Sequence, residues 1–535
     1  MSSVKLLLFT FLACLAAWSS AYKMVIFSPE MANSQVLFNS RVAETLAKAG
    51  HDVTMVLISA FDDKNSSDVK IMKEVLVRRV NASAGITKKE MEERQSKLIF
   101  EDISAWDPRM RENMQKMTTL LTRSCRRMLQ EKEFLDWLVA EKFDLAFSHM
   151  YDVCPIGLIH YAKIPSWIWL NSGALMDFVA HYMGVPNIPS YSPPVIMEAT
   201  DEMNFVERTK SLIGHILTSI LWKRLIPDKE TAIFRELIDP NFPDIVEVAK
   251  KCPLVMVNSN ELYELPRPTL AKVVNIGGIG IQIKDVKPLS KEFQQIVDAH
   301  EGIVVFSFGS VAPAHRMPET WKKAFLEAFA RFPKIGFIMR YEGTDLGDRL
   351  PPNVRLSKWI PQADLLGNPK TVALISHGGY NSLQEAITAG VPLVTVALFG
   401  DQPRNAKLAE RHRFSINILK RDLNADTVTR ALRKLTNDKS YSDRIKRLSQ
   451  MAKKKPVSAD HLLVSWAEFT AEFKTLDNLV PAGTKLNFIQ YYSLDVIAFL
   501  FSATFLILFV LWKLLKFIAL RTYSLFFGVK KQKQH

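Results

Sequence analysis

The stretch that most limits how this chain can fold runs from Trp359 to Gln402, WIPQADLLGNPKTVALISHGGYNSLQEAITAGVPLVTVALFGDQ. Thr371–Ile375 is an apolar run of strand length, followed by the polar, glycine-bearing turn Ser376-His377-Gly378-Gly379-Tyr380-Asn381. Ser382–Ala389 predicts a helix with Asn381 or Ser382 near its N-cap. Gly390 and Pro392 lead into a second apolar run, Val391–Val396. Strand, turn, helix and strand make a βαβ unit, whose turn lies at the sheet edge where doubly wound folds carry their ligands.

A turn of this kind lets backbone N–H groups and the positive end of a helix dipole face a phosphate. Glycines allow close approach to the backbone, and His377 can donate a hydrogen bond to a phosphate oxygen. Trp359 offers a flat face for a nucleobase, and Glu385, one turn into the helix, can accept from ribose hydroxyls. Asp401 and Gln402 carry acceptor and donor groups suited to sugar hydroxyls.

These residues, at this spacing, resemble the signature of UDP-glycosyltransferases, and the wider chain resembles the animal, membrane-anchored UDP-glucuronosyltransferase family. Trp359, Gln362, His377, Asn381, Ser382, Glu385, Asp401 and Gln402 all occupy family positions. The resemblance implies uracil stacking on Trp359 and ribose contact by Glu385. It also implies diphosphate contact by His377, Gly379, Asn381 and Ser382, and sugar contact by Asp401 and Gln402. Ser310, after the apolar run Ile303–Phe306, and Arg340, at the end of Ile335–Arg340, match family residues beside the nucleotide.

The N-terminal half begins as a second Rossmann-like unit: a strand at Met24–Phe27, a helix over Ser34–Ala49 closed by Gly50, and a strand from His51. It lacks the glycine fingerprint of a dinucleotide site. In the family, the loop into this first helix carries a histidine that deprotonates the acceptor, and an aspartate after a later strand orients it. The matching positions here are Gln35 and His149. Glutamine has no group that titrates near neutral pH and cannot serve as a general base. His51 lies beyond the helix and reads as structural. Three accounts of the altered pair stand open. His149 is itself the base, since imidazole has a suitable ordinary pKa; or the acceptors need little base help, as amines, carboxylates or acidic phenols do; or the chain binds a nucleotide sugar without transferring it.

The ends of the chain address it to a membrane. Met1–Ala21 has Lys5, an apolar core from Leu6 to Trp18 and a small-residue end, which reads as a cleaved secretory signal. Val496–Trp512 is free of charge, and Lys513, Lys516, Arg521, Lys530, Lys531 and Lys533 follow it. The positive-inside rule then puts residues 516–535 in the cytoplasm and the main body in the lumen, with a transmembrane helix over residues 494–515. Lys531 and Lys533 resemble a dilysine retrieval signal for the endoplasmic reticulum. Asn65 and Asn81 open N-glycosylation sequons. Ser211–Leu225 combines an apolar face with a basic end and reads either as an interfacial helix or as an ordinary buried one. Cys125, Cys154 and Cys252 outside the signal form neither a disulfide framework nor a metal-site spacing. The formal charge of +14 raises the question of nucleic acid, but no nucleic-acid module accompanies it and a secretory signal argues against one.

The resemblance and the alternating pattern together predict an α/β chain of GT-B architecture, two Rossmann-like domains facing a cleft. Residues 22–275 would bind the acceptor and residues 291–475 the UDP-sugar, joined by a linker over 276–290 and followed by a juxtamembrane segment, 476–493. The expected reaction is inverting transfer of a sugar, glucuronate or glucose, from a UDP-sugar to a lipophilic small molecule, as in detoxifying conjugation. No Asp-x-Asp triplet occurs, so neither a metal nor another cofactor is expected. Regulation of related transferases, in a homo- or hetero-oligomer, is the reading of a different class.

Overall fold

The computed structural model describes residues 21–63, 69–103, 107–281 and 288–528. The secretory signal up to Ser20, the Asn65 sequon and the lysines from Lys530 on lie outside the described residues. The chain forms two units, residues 1–479 and 480–535.

In the larger unit, strands β1 (Lys23–Pro29), β2 (Asp52–Ser59), β3 (Leu76–Asn81), β4 (Leu145–His149), β5 (Trp167–Asn171), β6 (Leu254–Val257) and β7 (Val273–Asn275) form one sheet in the order β3-β2-β1-β4-β5-β6-β7. Strands β8 (Gly302–Ser307), β9 (Ile335–Arg340), β10 (Val354–Ser357), β11 (Thr371–Ser376), β12 (Leu393–Thr395) and β13 (Ser415–Asn417) form the other, in the order β10-β9-β8-β11-β12-β13. Every pairing in both is parallel. Parallel strands must have both faces covered, which is why β4, β5, β6 and β8 are buried along their whole length. One face of the first sheet packs a core containing Phe27, Trp169 and Phe234, the other a core with Met24, Phe38 and Phe147. The second sheet is covered likewise by Phe306, Phe325 and Phe329 on one side and by Leu374, Leu383 and Ile387 on the other.

Both sheets reverse direction once, between β1 and β4 in the first and between β8 and β11 in the second. The loops leaving the C-terminal ends of such neighbours turn to opposite faces and leave a crevice between them. Gln35 follows β1 and His149 ends β4; Ser310 and His377 follow β8 and β11.

Two features depart from the sequence reading, and a third removes one of its alternatives. The helix Ala459–Phe473, placed by sequence in the second half, crosses back onto the first: Leu463, Ala467 and Ala471 complete the core around Met24 and Phe147. Its Glu468 lies 3.2 Å from Nε2 of buried His51, whose Nδ1 accepts from the Tyr22 N–H, so His51 is a structural tie. Cys125 and Cys154 are joined by a disulfide, with Cα atoms 5.7 Å apart, correcting the reading of three unrelated thiols; Cys252 is free and buried. The helix read at Ser211–Leu225 runs from Phe205 to Leu225 with Leu212, Ile213, Ile216, Leu217 and Ile220 exposed, so it is not an ordinary buried helix.

Among the described residues, the smaller unit holds one helix long and apolar enough to cross a membrane, Leu494–Phe527. It continues past residue 515 through Lys516 and Arg521, whose cationic groups lie over the rings of Trp512 and Phe517.

Candidate functional site

The donor side is built where β8 and β11 diverge. The helix after β11 begins at Tyr380, two residues before the position read from sequence, with Gly379 as N-cap and no side chain capping it. Asn381 and Ser382 therefore sit inside the first turn, and the first N–H groups of the helix are left for a ligand. His377 is wedged between two glycines. A Cβ on Gly309 would lie 2.9 Å from His377 Cε1, and one on Gly379 would lie 2.6 Å from Nε2. Gly309 and Gly378 also take positive φ, 74° and 82°, which an L side chain rarely adopts. Buried in this slot, and facing Arg340, His377 has its pKa lowered to about 4, against a hydrogen bond to the Ser307 backbone. Its ring is neutral at physiological pH, and Nδ1 has no protein partner among the described residues. Ser310 follows Gly309 and is half-buried.

Around this turn the other predicted residues gather. Trp359 is 63% exposed, its ring 5.0 Å from the Arg340 guanidinium, whose Nε lies 3.1 Å from Glu342 Oε1. Gln362 Nε2 donates to Glu385 Oε2 at 2.8 Å and to Ser382 Oγ at 3.2 Å. The other Glu385 oxygen is 3.6 Å from Arg41, a residue of the helix Asn33–Lys48 in the first half. Asp401 is the N-cap of the helix Gln402–Arg411, and burial raises its carboxyl above the usual range. Gln402 is turned inward: its Oε1 accepts from the N–H groups of Leu398 (2.9 Å) and Phe399 (3.0 Å), so only its amide nitrogen is left for a sugar.

Sequence reasoning missed several residues that make the site one piece. Asn405 donates to the Gly378 carbonyl at 3.0 Å and to Asp401 Oδ2 at 2.9 Å, locking the turn and Asp401 together. Its position four residues after Asp401 on a helix was the available signal. Glu264 accepts from Arg404 at 2.5 Å and from the Tyr380 hydroxyl at 3.1 Å, while Gln384 donates to the Asn258 carbonyl at 3.1 Å. Glu264 and Asn258 follow β6, so these bonds fasten the second sheet to the first. Burial opposes ionisation of Glu264, but Arg404 holds its carboxyl below the usual range. Nothing local in the sequence announces such long-range pairs.

Across the cleft, Asn381 Nδ2 donates to the Ser34 carbonyl at 3.4 Å, which puts Gln35 beside the donor turn. Gln35 is buried in the first turn of its helix, and its Oε1 has no protein partner among the described residues. His149 ends β4. Its Nδ1 accepts from the Tyr151 N–H at 3.2 Å, so the proton of the neutral ring belongs on Nε2, which lies 3.9 Å from Asp152 Oδ2. Burial drives its pKa down to about 3. Asp152 and Glu230 are themselves buried with raised carboxyls, and accept from the N–H groups of Cys154 (3.1 Å) and Val153 (3.0 Å). Tyr151, which sequence reasoning passed over, has its hydroxyl 2.8 Å from Ser172 Oγ, within the influence of both Gln35 and Asp401.

The N-glycosylation candidate Asn81 is the exposed last residue of β3, its Oδ1 accepting from the Ser83 N–H at 3.1 Å.

Known proteins resemble this chain in sequence and in fold. The family model described as UDP-glucoronosyl and UDP-glucosyl transferase matches residues 24–533. Mouse UDP-glucuronosyltransferase 1A7 is 34% identical over 396 residues, covering 74% of this chain and 73% of its own. Rat UDP-glucuronosyltransferase 1-2 is 31% identical over 515 residues, covering 94% and 92%. Among solved structures, Phytolacca americana UGT2 complexed with UDP-2fluoro-glucose and pterostilbene superposes with a TM-score of 0.56 at 13% identity, over 84% of this chain and all of that one (100%), which establishes a shared fold.

Proposed function

The chain belongs to the UDP-glucuronosyl and UDP-glucosyl transferase family, and on that premise we propose that it transfers glucuronate, with glucose as the alternative sugar, from UDP to a lipophilic small molecule. The observation that carries the reading is the uncapped helix start at Gly379, with neutral His377 wedged beside it and Trp359 exposed next to it. Uracil stacks on Trp359, Glu385 accepts from the ribose, and the diphosphate meets His377, Ser310, Asn381, Ser382 and the first helix N–H groups. Asp401 and Gln402 Nε2 take sugar hydroxyls. The acceptor attacks the anomeric carbon from the side of the first sheet while UDP departs on the other, inverting the centre. Charge growing on the β-phosphate is met by donors already in place, the arrangement that stabilises a transition state at least reorganisation cost. These donors suffice in this reading without a resident metal.

The body is lumenal in the endoplasmic reticulum and anchored by the Leu494–Phe527 helix. The exposed Asn81 sequon and the Cys125–Cys154 disulfide, at home in an oxidising compartment, support this. Gln35 and the deeply depressed His149 favour a second reading, nucleotide-sugar binding without turnover.

The deciding experiment supplies membranes carrying the full chain with UDP-glucuronate or UDP-glucose and a panel of lipophilic phenols, acids and amines. Sugar-conjugated product with UDP-glucuronate exceeding that with UDP-glucose is the expected result. The reverse order reassigns the donor, and UDP-sugar binding with no product from any pair establishes the second reading.

A further inference from the structure

We infer that the acceptor site selects neutral primary or secondary amines, held by an N–H donated to the Oε1 oxygen of Gln35. The inference rests on the transferase reading above and names the substrate class of that same site. Gln35 is 8% exposed and has a buried amide oxygen without a protein partner among the described residues. Such an orphan is costly unless a ligand satisfies it. Its backbone is held on both sides. Its backbone N–H donates to the Ala32 carbonyl at 3.1 Å, and its own carbonyl accepts from Asn39 Nδ2 at 2.9 Å. The side-chain NH2 stabilises the Tyr151 oxygen, and the Tyr151 hydroxyl pairs with Ser172 Oγ, so Oε1 is the atom left over. Tyr151 also feels the Asp401 carboxyl, and a Cβ on Gly173 would lie 3.7 Å from Asp401 Oδ2. Gln35 and the sugar-side residue thus face the same small space.

An amide oxygen accepts a hydrogen bond but does not remove a proton. An alcohol must shed its proton as it attacks, and neither member of the altered pair takes it: Gln35 has no basic group, and His149 presents Nε2 already protonated, with Nδ1 occupied. A carboxylate has no hydrogen for Oε1 and would be repelled by it. An amine attacks with its lone pair. The new bond forms between nitrogen and the anomeric carbon, the bond from that carbon to the β-phosphate oxygen breaks, and the electron pair leaves with UDP. The cationic nitrogen then releases one proton to solvent. Tertiary amines lack the N–H that Gln35 requires, and arylamines, neutral at physiological pH, enter a buried site more readily than alkylammonium ions.

The test uses full-length protein in membranes with a UDP-sugar and matched acceptors: an arylamine, its N-methyl and N,N-dimethyl derivatives, and the corresponding benzylic alcohol and acid. The primary and N-methyl amines should be conjugated, the others at least tenfold more slowly. Gln35→Leu should raise KM for the arylamine about tenfold with a smaller change in kcat, the size expected for one lost hydrogen bond. Gln35→Asn, one methylene shorter, should lie between. UDP affinity serves as the folding control for both variants. Gln35→His should gain transfer to the alcohol. Equal rates for the dimethylamine or the alcohol, or an unchanged arylamine KM in both Gln35 variants with UDP affinity intact, overturns the inference and leaves the transferase reading standing. Absence of product from every acceptor overturns both.

Discussion

At the scale of single residues, the site depends on histidines kept from titrating. His377 and His149 have pKa values of about 4 and about 3, both depressed by burial. The unfolded chain, with ordinary imidazoles near about 6.5, binds more protons than the folded one below that pH. Stability is therefore fully present above about pH 6.5 and is lost as pH falls toward the folded values, by on the order of 3 kcal/mol for each imidazole. Melting of the solubilised protein between pH 7 and pH 4 should show this fall, and His149→Gln should make it shallower. The buried pair Asp152 and Glu230 works in the opposite sense. Their carboxyls are raised, so their contribution is present at low pH and fades as pH rises. His377, Gly379 and Asp401 stood out in the sequence because chemistry and spacing coincide within one βαβ unit. Gln35 stood out by what it lacks. Tyr151, Arg41 and Asn405 did not, since their roles come from partners placed by tertiary packing.

At the scale of elements, strands with continuous apolar runs were legible, including β1, β8 and β11, because parallel strands buried on both faces carry no alternation to confuse. The strand β3, with only Val80 buried in LVRRVN, was not. The start of the Tyr380–Ala389 helix was read late because Asn381 and Ser382 look like caps. They serve instead within the first turn, and the true N-cap is a bare glycine. The disulfide was invisible because spacing alone does not reveal that the helix Pro108–Gln130 brings Cys125 against Cys154. The helix Phe205–Leu225 keeps Leu212, Ile216, Leu217 and Ile220 exposed along a face bounded by Lys210 and Lys223, the pattern of a helix lying in a membrane interface. A chain ending at Leu479 should still float with phospholipid vesicles. The triple variant Leu212→Ser, Ile216→Ser, Ile220→Ser should reduce that partitioning by at least about a hundredfold, since each lost side chain is worth roughly 1.5 kcal/mol or more in an apolar phase.

At the scale of the whole molecule, both sheets of the larger unit follow one winding order, and each places its active loops at its own reversal point. The sequence made the two-sheet plan readable through its repeated strand and helix pattern. It did not show that the helix Ala459–Phe473 returns to the first sheet and ties the halves together, a contact visible only as buried Leu463 and Ala467 beside Met24. In the proposed function, the second sheet holds a UDP-sugar whose departing phosphate is met by His377. The most direct measurement follows UDP-sugar-dependent product formation by the wild-type chain and by His377→Ala, at matched expression and in the same membranes. The account predicts conjugated product from the wild-type chain and a fall of about a hundredfold or more in kcat/KM for the variant. Equal activity of the two chains would contradict it.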